Sequence, residues 1–290
     1  MNLLGYLGPE GTHSEEAARY FLHVLAREKC DLQPLDDILS ALRAVEEGSL
    51  DAALVPVENS LEGAVNITLD ALAQNDALTV VQELVWPVHN FLLAKKNTQD
   101  IRAIYSHAQP LAQCRQYLRT HYPQARLLAA PSTAEAARLV SGSRMDDGLA
   151  AISTARAGKL YGLQIIARAI EDSPRNCTRF FLIQRRDEVS TLAMPVESAL
   201  QETLLLLAQI DGQRAGSLCA MLMEFAQRDL NLTRIESRPA RTKLGEYLFF
   251  LDLDVKGQNE NLEAALAAVR PQCQNLRLLG RFPVAVADKL

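Results

Sequence analysis

The chain has 290 residues, 48% hydrophobic and 22% charged, enough to bury two or three compact units without metals or disulfide staples. A formal net charge of −5 offers no basic face for nucleic acid, and no apolar run approaches the ~18 residues that a membrane-spanning helix needs. Five scattered cysteines, Cys30, Cys114, Cys177, Cys219 and Cys273, form no CxxC pair and so neither a disulfide framework nor a zinc motif. They fit a reducing compartment, and with no basic and apolar leader at the start the expected location is cytoplasmic.

Short apolar runs predict strands at 3–7, 52–57, 101–105, 127–130, 149–152 and 180–184. Helix-like stretches at 13–27, 37–46, 111–120, 134–140 and 154–161 alternate with them, which predicts an α/β region with largely parallel sheets. The apolar stretch 78–94, interrupted at Trp86-Pro87, reads as a strand pair or crossover between two lobes. Polar residues 185–191 and Pro195 mark a linker. Beyond it come a strand at 203–210, a helix at 217–228, strands at 232–236 and 247–255, a helix at 262–269 and a strand at 276–279. That order is βαββαβ, a ferredoxin-like arrangement.

Polar residues gather where strands end and helices begin. Gly8-Pro9-Glu10-Gly11-Thr12 with Ser14 permits a tight turn onto a helix whose free N–H groups suit an anion, although Thr12 and Glu15 also make a capping box. Glu58-Asn59-Ser60 closes the strand at 52–57 with more hydrogen-bonding groups than a cap requires, beyond a strand's carboxyl end where ligands bind in open α/β folds. Ser106 is placed as an N-cap with Gln113 two turns on, and His107 reads as a surface histidine of the first turn. Ser132 and Glu135 fit a second capping box, which competes with Glu135 as a catalytic acid. Finally, Asn176-Cys177-Thr178-Arg179-Phe180 leads a polar turn into a buried strand, where Arg179 serves as a carboxylate fork or a strand-end ion pair. There is no GxSxG, HExxH, Walker loop or GxGxxG, so no nucleotide, metal or other cofactor is expected.

Taken in order, these clusters resemble the prephenate dehydratase family. The most specific piece is Thr178-Arg179-Phe180, supported by Glu58-Asn59-Ser60, Ser106-His107 with Gln113-Cys114, and Ser132-Thr133-Ala134-Glu135. The C-terminal segment is similar to the ACT regulatory domain of that family, through Gly216-Ser217-Leu218 at a helix start and Glu236-Ser237-Arg238-Pro239. Two departures stand out: His107-Ala108-Gln109-Pro110 where the family shows His-Pro-Gln-Ala, and Ala215-Gly216-Ser217-Leu218 where Pro-Gly-Ala-Leu is common.

The resemblance implies a two-lobed catalytic region over 1–185, like periplasmic binding proteins, with its second lobe at about 78–165 and an ACT domain over 200–285. It implies conversion of prephenate to phenylpyruvate with loss of water and carbon dioxide, regulation by L-phenylalanine, and a homodimer or homotetramer. Thr178 is expected to assist the leaving hydroxyl, with Glu135 or a water as the ultimate proton source. Arg179 is expected on the pyruvyl carboxylate, since pairing with the departing carboxylate would stabilise the ground state. Phe180, Asn59, Ser60, Glu58, Ser106, Gln113, Thr12 and Thr133 are expected around the substrate. Gly216, Ser217, Leu218, Glu236, Ser237, Arg238 and Pro239 are expected around the effector. Arogenate dehydratase and a non-catalytic amino-acid-binding sensor are the alternatives.

Overall fold

The computed structural model describes residues 2–24, 30–188, 192–193, 199–211, 214–241 and 245–287. The expected helix end at 25–27 and, of the expected linker, 189–191 and Pro195 lie outside them. The first sheet begins with β1 (Asn2–Leu7), α1 (His13–Val24), β2 (Cys30–Leu35), α2 (Ile38–Glu46), β3 (Ala52–Asn59), the short β4 (Gly63–Ala64), α3 (Asn66–Gln74) and β5 (Leu78–Pro87). The chain then crosses into β6 (Phe91–Ala94), β7 (Ala103–Ser106), α4 (Ala108–Gln113), α5 (Arg115–His121), β8 (Arg126–Ala129) and α6 (Thr133–Gly142). This lobe finishes with β9 (Leu149–Ser153), α7 (Ala155–Leu160) and β10 (Gln164–Ala167), and β11 (Cys177–Arg185) returns to the first sheet.

The second lobe is a five-stranded sheet in the order β10-β6-β9-β7-β8. Within it β7 runs parallel to β8 and β9, while β6 pairs antiparallel with β9 and β10. The first sheet is likewise mixed: β1 is parallel to β2 and β3, but β11 runs antiparallel between β3 and β5. The crossover expected at Trp86-Pro87 is where β5 ends. Strand β2, which the sequence reading passed over, contains Pro34 and lies at the sheet's edge, where a missing N–H costs no ladder bond.

The remaining elements are β12 (Gln201–Ile210), α8 (Ser217–Ala226), β13 (Asn231–Pro239), β14 (Tyr247–Asp254), α9 (Asn259–Val269) and β15 (Cys273–Val286). They pair antiparallel in the order β13-β14-β12-β15, which is the ferredoxin-like arrangement of a βαββαβ unit. Its own core packs α8 and α9 on the sheet through Met221, Phe225, Leu262 and Val269.

The last strand runs well past the expected end at 279. Its final residues, Val284–Val286, pair in parallel with Glu83–Val85 of β5. The two sheets thereby become one ten-stranded sheet, and their cores merge: Leu205, Leu207, Phe250, Leu279 and Phe282 pack with Leu42, Leu69, Leu72 and Phe181. Phe282 meets Phe181 edge to face at 5.4 Å, and burying such a ring contributes about 1.5–3 kcal/mol. Among the described residues no helix is long and apolar enough to cross a membrane.

Gly280 sits where β15 closes on β5. A Cβ there would lie 2.2 Å from the Val80 carbonyl oxygen, so only glycine permits the approach. Gly280→Ala is expected to cost about 1–3 kcal/mol in urea unfolding by forcing the strands apart. Unchanged stability would show that this junction does not form in solution.

Candidate active site

A cavity of about 290 Å³ lies between the two sheets. Leu7 at the end of β1 and Gly8 after it, Thr12, His13 and Ser14 at the start of α1, Asn59 at the end of β3, and Asn176 just before β11 with Thr178 at its start line one side. The opposite side is His107, Gln109, Pro110 and Gln113 of the α4 segment, with Pro131, Ser132 and Thr133 leading into α6. Val88 and Asn90 come from the crossover. Strands β1, β7 and β8 all deliver these groups from their carboxyl ends, the usual place for a ligand in α/β sheets. Among the described residues lining the cavity, none is Lys, Arg, Asp or Glu.

Asn59 organises the first side. Thr178 and Asn59 are register partners on β11 and β3. The Asn59 amide Nδ2 donates to Thr178 Oγ1 at 3.0 Å, to Asn176 Oδ1 at 2.9 Å and to the Cys177 carbonyl at 3.2 Å. Its Oδ1 accepts from the N–H groups of Leu61 and Glu62 at 3.0 and 3.1 Å, which orients the amide. Asn176 Nδ2 in turn donates to Gln113 Oε1 at 3.1 Å, carrying the chain into the second lobe. Thr178 Oγ1 thus already accepts a hydrogen bond from Asn59, and its own proton is left to donate.

Two helix N-termini face the same space. Thr12 Oγ1 donates to the Pro9 carbonyl at 3.0 Å and accepts from Glu15 N at 3.4 Å, capping α1. Ser132 Oγ caps α6 through Glu135 N at 3.0 Å, with buried Thr133 beside it. The uncapped N–H groups of each first turn give partial positive charge suited to an anion. The α1 turn is held to the second lobe: Gly11, at φ +86°, packs 3.2 Å from Ala157 by its would-be Cβ, and its carbonyl accepts from Thr154 Oγ1 at 2.8 Å. Glu15 is fully buried; burial alone would raise its pKa, but bonds from Gly11 N, Arg19 and Arg156 more than offset this and lower it. Burial takes His13 down to about 4, so its ring is neutral at pH 7.

Several expected site residues lie elsewhere. Arg179 does not line the cavity; its guanidinium meets Glu83 at 2.7 and 2.8 Å, Glu58 at 2.7 Å and Asp252 at 2.7 Å. Burial opposes its charge, but Glu83 and Asp252 hold it firmly protonated. A guanidinium with three carboxylates is not free for a substrate carboxylate, and Glu58 is engaged with it. Phe180 is buried in the core. Ser60 Oγ bonds the main chain of Arg175 and Cys177, and buried Ser106 Oγ donates to the Ile152 carbonyl at 2.7 Å, so both serve the backbone. The N-cap of α4 is His107, one residue later than expected. Glu135 pairs with Arg138 outside the cavity, which lowers its pKa and leaves it ionised, unsuited to donate a proton. Burial pushes the Cys114 thiol up, which removes it as a nucleophile.

The sequence reading missed His13, Asn90, Ser132 and Asn176 as cavity residues. Asn176 had a signal, since it precedes Thr178 by two and so shares its strand face. Asn90 had none, because it sits beside His89 inside a stretch read as a strand pair or crossover.

The prephenate dehydratase family profile matches residues 4–188. The chain belongs to the prephenate dehydratase family. Among curated family members, the prephenate dehydratase of Amycolatopsis methanolica is 39% identical over 97% of this chain and 88% of its own. The structure of the prephenate dehydratase from Arthrobacter aurescens in complex with L-Phe superposes with a TM-score of 0.83 at 32% identity, over 98% of this chain and 93% of that one. A chain described as a novel type of quorum quenching acylase matches with the same TM-score at 26% identity, over 98% of both chains.

Replacing Arg179 tests its placement. Arg179→Ala leaves Glu83 without its guanidinium and Glu58 and Asp252 with Arg234 alone, and should cost on the order of 3–5 kcal/mol of stability. Wild-type thermal stability with only a raised KM for a carboxylate substrate would restore Arg179 to the site.

Proposed function

We infer that this protein converts prephenate to phenylpyruvate, water and carbon dioxide, a step of phenylalanine biosynthesis. The observation that carries the reading is the cavity itself: a wall of hydroxyls, amides and imidazoles, free of Lys, Arg, Asp and Glu among the described residues, with two helix N-termini, centred on Thr178 of the family's Thr178-Arg179-Phe180 triplet. In the reaction the bond to the ring carboxylate breaks and its electron pair enters the ring. The ring C–O bond breaks with its pair, and the departing oxygen takes up one proton. A dianion therefore becomes a monoanion. A cation fixed on the ring carboxylate would oppose that loss of charge, whereas N–H dipoles hold the substrate without locking the group that leaves. Thr178 passes its proton to the departing oxygen and takes one in turn from a solvent water, the ultimate source, while Asn59 donates to Oγ1 and steadies it. Gln113, Thr12 and Thr133 orient the ring and its carboxylates. The absence of a carboxylate from the described lining favours the keto substrate over arogenate, whose ammonium would want one.

The βαββαβ unit serves as an ACT domain over about 200–285 that binds L-phenylalanine. Gly216, at φ 80°, caps α8 without a side-chain bond, and Ser217 Oγ donates to the Arg214 carbonyl at 2.7 Å. Strand register supports one effector site for Gly216, Ser217, Leu218 and Glu236, Ser237, Arg238, Pro239. Arg238 aligns with Leu248, which aligns with Gln209 near the end of β12 that feeds α8. Arg238 is already paired with Asp70 at 2.9 and 3.1 Å, so it shapes that end rather than grips a carboxylate. Exposed Met223, Ile235 and Tyr247 on this unit support pairing with a second copy, as a homodimer or homotetramer.

The test is phenylpyruvate formation by purified protein from prephenate or arogenate, with and without L-phenylalanine. The expected result is faster turnover of prephenate, altered by L-phenylalanine. No turnover of either substrate would leave a binding protein as the better account.

A further inference from the structure

The Arg179 cluster joins the cleft-bearing part of the chain to the βαββαβ unit. Glu58 on β3 and Glu83 on β5 flank β11, whereas Asp252 on β14 and Arg234 on β13 come from the C-terminal unit. Asp252 is fully buried; its Oδ2 receives Arg179 Nη2 at 2.7 Å and Arg234 Nε at 2.9 Å. Arg234 also lies 3.8 Å from Glu58. Two guanidiniums thus share three carboxylates.

The place of Arg179 in β11 gives the cluster its consequence. It follows Thr178 directly, and strand alternation sends the two side chains to opposite faces. Thr178 faces the cleft, and Arg179 reaches Asp252. The ladder between β11 and β3 shifts register between Arg179 and Phe180, so main-chain pairing is interrupted one residue from the catalytic hydroxyl. On its other side β11 stays in register with β5 over 177–182, so the pairs of Arg179 with Glu58 and Asp252 brace the strand on the side where its ladder to β3 shifts. Other charged ties, Arg238 and Arg241 with Asp70 of α3 and Arg277 of β15 with Asp76, do not involve β11.

We propose that Asp252 is a positioning residue for the reaction at Thr178. It holds Arg179 from the side away from the cleft, and any displacement of β14 reaches the cleft end of β11 through this ion pair. An effector in the C-terminal unit that moves Asp252 changes the distances around Arg179, and with them the placement of the hydroxyl. The expected signature is an effect on kcat more than on KM, because the groups that orient the substrate's carboxylates, Thr12, Gln113 and Thr133, lie at α1, α4 and α6 rather than on β11. This rests on the reading of Thr178 as the hydroxyl that assists loss of water.

The test compares Asp252→Asn, which keeps shape and removes charge, with Asp70→Asn, which weakens a tie that does not involve β11. Hydrogen exchange of residues 176–181 is followed by mass spectrometry, beside prephenate kinetics with and without L-phenylalanine. In Asp252→Asn, exchange over 176–181 should quicken and kcat fall about tenfold at unchanged KM. L-Phenylalanine should still bind by calorimetry but no longer alter kcat. Asp70→Asn should leave exchange over 176–181 as in the wild type. Should Asp252→Asn fail to fold, Arg234→Gln unbalances the same carboxylate and should give the same local exchange change. Wild-type exchange in the Asp252 variant, or equal quickening in the Asp70 variant, overturns the proposal. If the wild type does not dehydrate prephenate, the reading of the cleft fails, and the exchange comparison alone decides whether Asp252 positions β11.

Discussion

Arg179 among its three carboxylates is the constraint on which the rest of the structure leans. One guanidinium fastens β11 to β3 on one side, to β5 on the other and to β14 behind. Each partner strand does something different. Strand β3 ends in Asn59, which sets Thr178; β5 leads through the crossover into the second lobe; β14 belongs to the βαββαβ unit. A buried cation matched by several carboxylates is weak evidence for net stability, since desolvation offsets much of the attraction. Its geometry is the point: the planar fork fixes three directions at once, which a lysine could not.

The cleft follows an opposite rule. Charges are gathered outside it, in the Arg179 cluster and around Glu15 with Arg19 and Arg156, while the described wall carries no Lys, Arg, Asp or Glu. For a reaction that loses one negative charge, that separation makes physical sense. Fixed charges placed behind the wall hold its elements in register, and the wall meets the substrate with dipoles that need not let go of a departing carboxylate. The same arrangement explains why Thr178 and Arg179, adjacent in sequence, take different tasks: strand alternation puts one on each side of the wall.

Much of this was legible in the sequence. The strand-helix alternation, the crossover at Trp86-Pro87 and the βαββαβ order all follow from apolar periodicity and punctuation by Gly and Pro. The polar clusters after β1, β3, β7 and β8 were visible as such. What could not be read was direction. Asn59 and Glu58 are neighbours, as are Thr178 and Arg179, and only the fold shows which of each pair faces the cleft. Ser106 looked like a cap, yet its burial one residue earlier makes it a bond to Ile152. Glu135 fits both a capping turn and an acid until Arg138 is seen to hold it ionised. The expected strand stopped at 279, one residue short of Gly280, whereas Gly280 is what lets the long β15 close on β5.

The central claim is that a threonine hydroxyl, steadied by Asn59, assists the loss of water in a cleft whose described wall carries no Lys, Arg, Asp or Glu. It is tested most directly by the turnover of Thr178→Val beside Thr178→Ser. Valine keeps the shape of the side chain and removes the hydroxyl, so kcat for phenylpyruvate formation should fall by roughly 100-fold or more at similar KM and melting temperature. Serine, which restores the hydroxyl, should recover much of the loss. A valine variant that turns prephenate over at close to the wild-type rate would contradict the account.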